Sequence, residues 1–304
     1  MLNVISIFAK SIGATDLPRG TQLIPEIIQV KRCFHDSDIL YSCAIAFKLA
    51  HLWQLQAIDI ANQLVTTLGE KFYCCAQGIC LNFNVQVVSS GWIYFRLKEE
   101  SLANWLQHLI SPGDGEIGRW EDGEMGGWRD GEIGRWRDGG IGRWGDGEIG
   151  RTTPTTENFF TLQYTHARCC SLLRLAHKQG LIKVSGQQTI LNFPNPIPWL
   201  KEAQGLEGEV LQLRLVHPAE RRLIAQIIDV QDSLSNQTQL QGKKLARDLS
   251  KAFEQFYSSC RIWGEVKSQT PKLAQARLGL VAVTQVLLRS LLQEHLGVVA
   301  PLEL

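Results

Sequence analysis

Residues 159–178 read FFTLQYTHARCCSLLRLAHK, and the period of this stretch decides how the second half of the chain is built. Ala167, Cys170, Leu173 and the pair Ala176 and His177 recur at three- and four-residue steps, with Leu162 five residues ahead of them, which predicts a helix with one buried stripe. Thr155, Thr156 and Asn158 stand before it as cap formers, and Gly180 follows as a stop. The opposite face carries Tyr164, His166, Arg168 and Arg174. Cationic and aromatic side chains on one long helix suit a polyanion with exposed bases. The same residues would also serve a solvated helix whose Tyr and His are half-buried.

Towards the C-terminus, residues 184–199 are extended and proline-rich and read as a loop or edge insertion. Residues 207–215 lead into a helix through Pro218, with Leu223, Ile224, Ile227, Ile228 and Val230 apolar. A further helix is expected over 239–259, with Leu245, Leu249, Ala252, Phe253, Phe256 and Tyr257 inward, and a last one over 272–296 that Gly297 stops. The sum is an all-α bundle over residues 158–304.

Towards the N-terminus the character breaks. From Asp114 the chain repeats an octad, DGEIGRWE, DGEMGGWR, DGEIGRWR, DGGIGRWG and a partial DGEIGR ending at Arg151. One Ile or Met and one Trp per octad cannot offset the backbone entropy of so many glycines. Residues 112–157 therefore read as a low-complexity, disordered linker, with a Trp-bearing binding tract or a short β-repeat as the alternative. No GxxxxGK[ST] phosphate loop occurs.

Residues 1–111 read as an α+β domain. A helix capped by Asp36 or Ser37 is expected through Ile39, Leu40, Cys43, Ala44, Phe47, Leu49 and Ala50, and a second through Ala57–Leu68. A hairpin follows, its strands at 82–87 and 92–97 turning at Ser89-Ser90-Gly91, then a short helix over 99–109 with Leu102, Trp105, Leu106 and Leu109 inward. Ile93, Phe95 and Leu97 share one face of the return strand, and Trp92, Tyr94 and Arg96 the other.

Charge is unevenly spread. Residues 158–304 hold 17 Lys and Arg against 11 Asp and Glu, residues 112–157 hold 6 against 11, and residues 1–111 are balanced at 8 each. A nucleic-acid footprint belongs in the basic C-terminal part. The eight cysteines form no CxxC, and Cys74-Cys75-x4-Cys80 lacks partners for zinc, so no metal or cofactor is expected. Free thiols point to a reducing cytoplasm. MLNVISIFAK lacks the basic start of a signal peptide, and no run reaches membrane-spanning length. His166 with Cys169 or Cys170 reads as a packed pair rather than a catalytic dyad.

Gln163-Tyr164-x-His166-Ala167-Arg168-x-x-Ser171-x-x-Arg174 resembles the entry helix of the DALR anticodon-binding domain of arginyl-tRNA synthetases. Ala252-Phe253-x-x-Phe256-Tyr257-x-x-Cys260 and Arg277-Leu278-Gly279-Leu280 resemble its later helices, and Ser90-Gly91-Trp92-Ile93-Tyr94-Phe95-Arg96-Leu97 resembles the hairpin of the same family's N-terminal domain. The closing Pro301-Leu302-Glu303-Leu304 departs from the family's Pro-Glu-Arg-Met-like tail. HIGH-like and KMSK-like strings are absent, and the octads stand where the family has its catalytic core. The resemblance implies a non-catalytic tRNA-binding protein, with arginine tRNA as the expected species. It places Tyr164, His166, Arg168, Arg174, Lys178, Lys243, Lys244, Arg247 and Lys251 on the anticodon side, and Trp92, Tyr94 and Arg96 on the tRNA corner. Two alternatives stay open: a module that docks on a protein partner without RNA, and the tRNA-binding part of a split arginine–tRNA ligase.

Overall fold

The computed structural model describes residues 30–33, 39–68, 71–76, 79–110, 159–185, 190–192, 197–205, 208–235 and 242–304. The octads, the cap expected at Asp36 or Ser37 and the stretch before Val30 lie outside the described residues.

The first half is α+β. Its strands are β1 (Val30–Cys33), β2 (Leu40–Cys43), β3 (Lys71–Ala76), β4 (Ile79–Val87) and β5 (Ile93–Leu97), and its helices are α1 (Ile45–Trp53), α2 (Ala57–Leu68) and α3 (Glu99–Ile110). The strands form one antiparallel sheet in the order β1-β2-β5-β4-β3. Alternation sets the hairpin register, with Val85 opposite Phe95 and Val87 opposite Ile93. Leu81, Phe83, Ile93, Phe95 and Leu97 are buried with Ile45, Leu49, Ile60, Leu64, Leu102 and Leu106 of the three helices. Asn84, Gln86 and Arg96, at the alternate positions, are exposed. Gly91 turns the hairpin at φ 96°, where an L side chain is strained. A Cβ there would also lie 2.9 Å from Ala57 Cβ.

The helix expected from residue 36 to residue 50 is corrected. Residues 40–43 are strand β2, and the helix starts only at Ile45. A short apolar run fits either period, and here tertiary pairing decides. Tyr41 pairs with Arg32 of β1 and Phe95 of β5, so both edges of β2 are hydrogen-bonded. Phe47, expected inward, is 38% exposed.

The second half is a helical bundle of α4 (Phe160–Lys178), α5 (Pro218–Ser235), α6 (Gly242–Ser259), the short α7 (Glu265–Gln269) and α8 (Pro271–Ser290), which runs into a π turn at Leu291–His295. Between α4 and α5 lie two hairpins, β6 (Lys183–Ser185) with β7 (Ile190–Asn192) and β8 (Leu200–Gly205) with β9 (Gly208–Leu213). Every residue from 276 to 285 in α8 is buried, the state of a helix surrounded by others, and α4, α5 and α6 all pack on it. Pro271 opens α8 at a position that needs no N–H donor, and Gly297 at φ 63° ends the π turn. Within the stretch expected to lead into a helix, Gly208–Leu213 form β9, and the helix itself begins at Pro218. Leu213 and Leu215 are buried, while Leu211, Gln212 and Val216 are exposed. Among the described residues no helix is long and apolar enough to cross a membrane.

Candidate nucleic-acid interface

The site is built on α4. Its buried stripe, Leu162, Cys169, Leu172, Leu173 and Ala176, faces the bundle. At its start and one turn in, Phe160 and Tyr164 project outward, 59% and 51% exposed, with ring centroids 6.3 Å apart and planes inclined by 25°. Two large aromatic rings stacked in solvent offer a π surface to a flat partner. Phe159 beside them lies under Lys243, whose Nζ is 5.3 Å from the ring centroid. Further along the same pair of helices, Arg168 lies 5.1 Å over the Tyr257 ring and donates to the Tyr257 hydroxyl at 2.7 Å. Residue number rises in both helices between the two contacts, so α4 and α6 run in the same sense and their N-termini share one end. Two helix N-termini at one end favour anionic groups there. On α6, Lys244, Arg247 and Lys251 are exposed at spacings of three and four, hence on one face.

His166 is corrected most sharply. Expected on the outer face, it is fully buried. Its Nδ1–H donates to the Pro301 carbonyl at 2.8 Å, which leaves Nε2 to accept from Gln285 Nε2 at 2.7 Å. Burial, the largest cause, lowers its pKa, partly opposed by the Pro301 carbonyl, so the ring is a neutral strut. Arg174, half-buried at the surface, is also engaged by the chain's own tail, donating to the Leu302 carbonyl at 3.1 Å and pairing with Glu303 at 3.1 Å. Gln163 completes the set with a 2.9 Å bond to the Val299 carbonyl. Three residues of the α4 motif therefore clamp the last residues of the chain along the helix. The clamp leaves Val299, Leu302 and Leu304 exposed at 72%, 46% and 65%.

Of the expected anticodon-side residues, the structure brings Tyr164, Lys243 and Lys244 to one end of the bundle, with Arg247 and Lys251 continuing along α6. Lys178 is exposed but stands fourteen residues beyond Tyr164 on α4, about 21 Å along the axis. Phe160, which sequence reasoning passed over, belongs to the site. Its signal was an aromatic four residues before Tyr164, on the same face. Burial raises the Cys170 thiol to about 11 and pushes Cys169 up as well, so the 3.9 Å contact between Cys170 and His166 is packing.

In the first half, Trp92 and Phe47 meet edge to face with centroids 5.5 Å apart, 36% and 38% exposed. Tyr94 is half-buried and Arg96 exposed on the sheet face that also shows Asn84 and Gln86.

Residues 162–304 match the family model described as DALR anticodon binding domain. Among curated proteins the chain is similar to the arginine–tRNA ligase of Heliobacterium modesticaldum, 37% identical over 146 residues that cover 47% of this chain and 22% of that protein. It is also 37% identical over 146 residues to the arginine–tRNA ligase of Moorella thermoacetica, covering 47% and 21%, and 30% identical over 144 residues to that of a Synechococcus strain, covering 46% and 21%. The chain thus spans about a fifth of the length of the curated relatives it matches. No solved structure matches it.

Proposed function

We propose, from a C-terminal half related to arginyl-tRNA synthetases through its DALR anticodon-binding domain, that this chain is a tRNA-binding protein without aminoacylating activity of its own. The observation that carries the reading is the exposed Phe160–Tyr164 stack at the end of the bundle where Lys243 and Lys244 also stand. Tyr164 and Phe160 stack an unpaired anticodon base, and Lys243, Lys244, Arg247 and Lys251 meet phosphates. His166, Arg168 and Arg174 act one step removed, by fixing α4 against the C-terminal tail and α6. The exposed pair Trp92 and Phe47, with Tyr94 and Arg96, takes the tRNA corner. Arginine tRNAs are the expected species, because the similar ligases are named for arginine.

Absence of HIGH-like and KMSK-like strings supports the non-catalytic half of the proposal. Binding to total tRNA across a salt series, with sequencing of the retained species, tests the whole. Enrichment of arginine tRNAs and an affinity that falls with salt are expected. Tyr164→Ala should weaken binding by ~1–3 kcal/mol, the worth of one stacked base. Lys244→Ala should flatten the slope of log K against log salt by about 0.7–0.9. Retention that ignores both substitutions would remove this face from the interface. Arginine-dependent ATP–pyrophosphate exchange by the purified chain would overturn the non-catalytic reading.

A further inference from the structure

Helix α3 does something its sequence pattern does not announce. Leu102, Trp105 and Leu106 are buried, as expected, and Ser101 Oγ accepts the Asn82 N–H at 2.8 Å where the helix packs on β4. The next stripe round, Glu99, Ala103 and Gln107, reads as solvated, yet it faces the helical bundle. Glu99 Oε2 accepts the Leu213 N–H at 2.9 Å, and its other oxygen pairs with Arg221 at the start of α5. Gln107 Oε1 accepts both the Ile197 N–H at 2.9 Å and the Trp199 indole N–H at 3.1 Å. Ala103 between them is buried; its small side chain lets the helix come close.

Trp199 is the anchor. It is 2% exposed, held by Gln107 on one side and pressed on Gly279 of α8 on the other, where a Cβ would lie 2.3 Å from its ring. At the far end of the same contact, Arg32 of β1 bonds the Ala225 carbonyl and pairs with Asp229 at 2.8 Å, and Tyr41 of β2 donates to Asp232 at 3.1 Å. A buried aromatic anchor flanked by neutral and charge-assisted hydrogen bonds is the make-up of a specific protein–protein interface.

We infer that the N-terminal α+β module and the helical bundle recognise each other directly, as a self-sufficient docking interface centred on α3 and Trp199, so that the two halves hold together without the covalent link of residues 111–158. The occupant of the α3 face is thus the bundle of the same chain, argued from both sides of a contact in which Glu99 and Gln107 have partners for their carbonyl and carboxylate oxygens. A consequence, which rests on the tRNA reading above, is that the spacing between the Trp92 face and the Tyr164 face is set by this interface and not by the length of the octad tract.

The test is a full-length chain carrying one protease site in the octads, cut after purification. The halves are expected to co-elute as a one-to-one complex; separation of the wild-type halves at micromolar concentration would overturn the inference. Glu99→Ala combined with Gln107→Ala should weaken association of the cut halves at least about tenfold. Hydrogen exchange separates loss of docking from loss of folding. The Ile197 and Leu213 amides, which donate to the two substituted side chains, should lose protection while the α8 amides keep theirs. Retained association and unchanged protection in the double variant would also overturn the assignment. The RNA consequence has its own readout: cutting the octads should leave tRNA affinity within about twofold of the intact chain. If the chain bound no tRNA at all, the function proposed above would fail while co-elution still decided the interface.

Discussion

His166 shows what one residue of a motif can do without touching a ligand. It lies at the meeting of α4, α8 and the C-terminal tail, where its ring bonds both the Gln285 amide and the Pro301 carbonyl. Replacing it by Ala would remove both bonds and open a cavity, so a loss of about 2–4 kcal/mol is expected in urea unfolding. The loss of tail contacts should lower tRNA affinity as a secondary effect. The sign of its pH effect follows from the lowered pKa. The unfolded chain takes up a proton near pH 6.5 and the folded chain only below it, so the ring's contribution is fully present above about pH 6.5 and is lost as pH falls through the folded value. Unfolding from about pH 5 to pH 8 should show this acid-side slope in the wild type and a weaker one in His166→Gln. The sequence put this residue on the outer face because its polarity outweighed its position. Only the tail, more than a hundred residues away, supplies the carbonyl that makes burial of an imidazole affordable.

At the scale of elements, the long helices were legible and the short strands were not. α4 and α6 each bury a stripe of several turns whose period survives local ambiguity, and the apolar run of α8 is too long for a strand. β2 and β9 are four and six residues long, too short for period to separate from a helix, and their state is set by partners elsewhere: β1 and β5 for one, β8 for the other. The hairpin β4–β5 was readable because alternation and Gly91 agree. Gly279 marks the opposite case, a helix-interior glycine whose reason is invisible in sequence. It sits in α8 where any side chain would meet Trp199. Gly279→Ala should gain a little helix propensity yet lose about 1–3 kcal/mol by overpacking. Trp199→Phe in the same chain should recover part of that loss while giving up the bond to Gln107. A double-mutant cycle in denaturant would show this as a non-additive pair; strict additivity would mean that the two do not press on each other.

For the whole molecule, the sequence revealed two modules and their order but not that they touch, because a Glu, a Gln and a small residue on a helix carry no apolar signal. The polar part of that contact also gives the assembly a pH dependence. Burial pushes the Asp229 carboxyl up to about 6, opposed by the Arg32 guanidinium beside it and aided by Asp232 and Asp248. A carboxyl raised above its unfolded value favours the folded form most at acid pH, and that contribution is lost as pH rises from the unfolded value near 4 through about 6. Asp229→Asn carries no such proton. The difference in stability between wild type and Asp229→Asn, measured across this range, should therefore drift against the wild type as pH rises and level off above about pH 7. The opposite drift would mean that Arg32 dominates and that Asp229 is held charged. The His166 slope runs the other way, so wild-type stability alone would show the two effects cancelling in part, and the single variants are needed to resolve them. If the same drift appears in association of the cut halves, Asp229 titrates at the contact between modules; if it appears only in unfolding of the bundle, the carboxyl reports on α5 and not on docking.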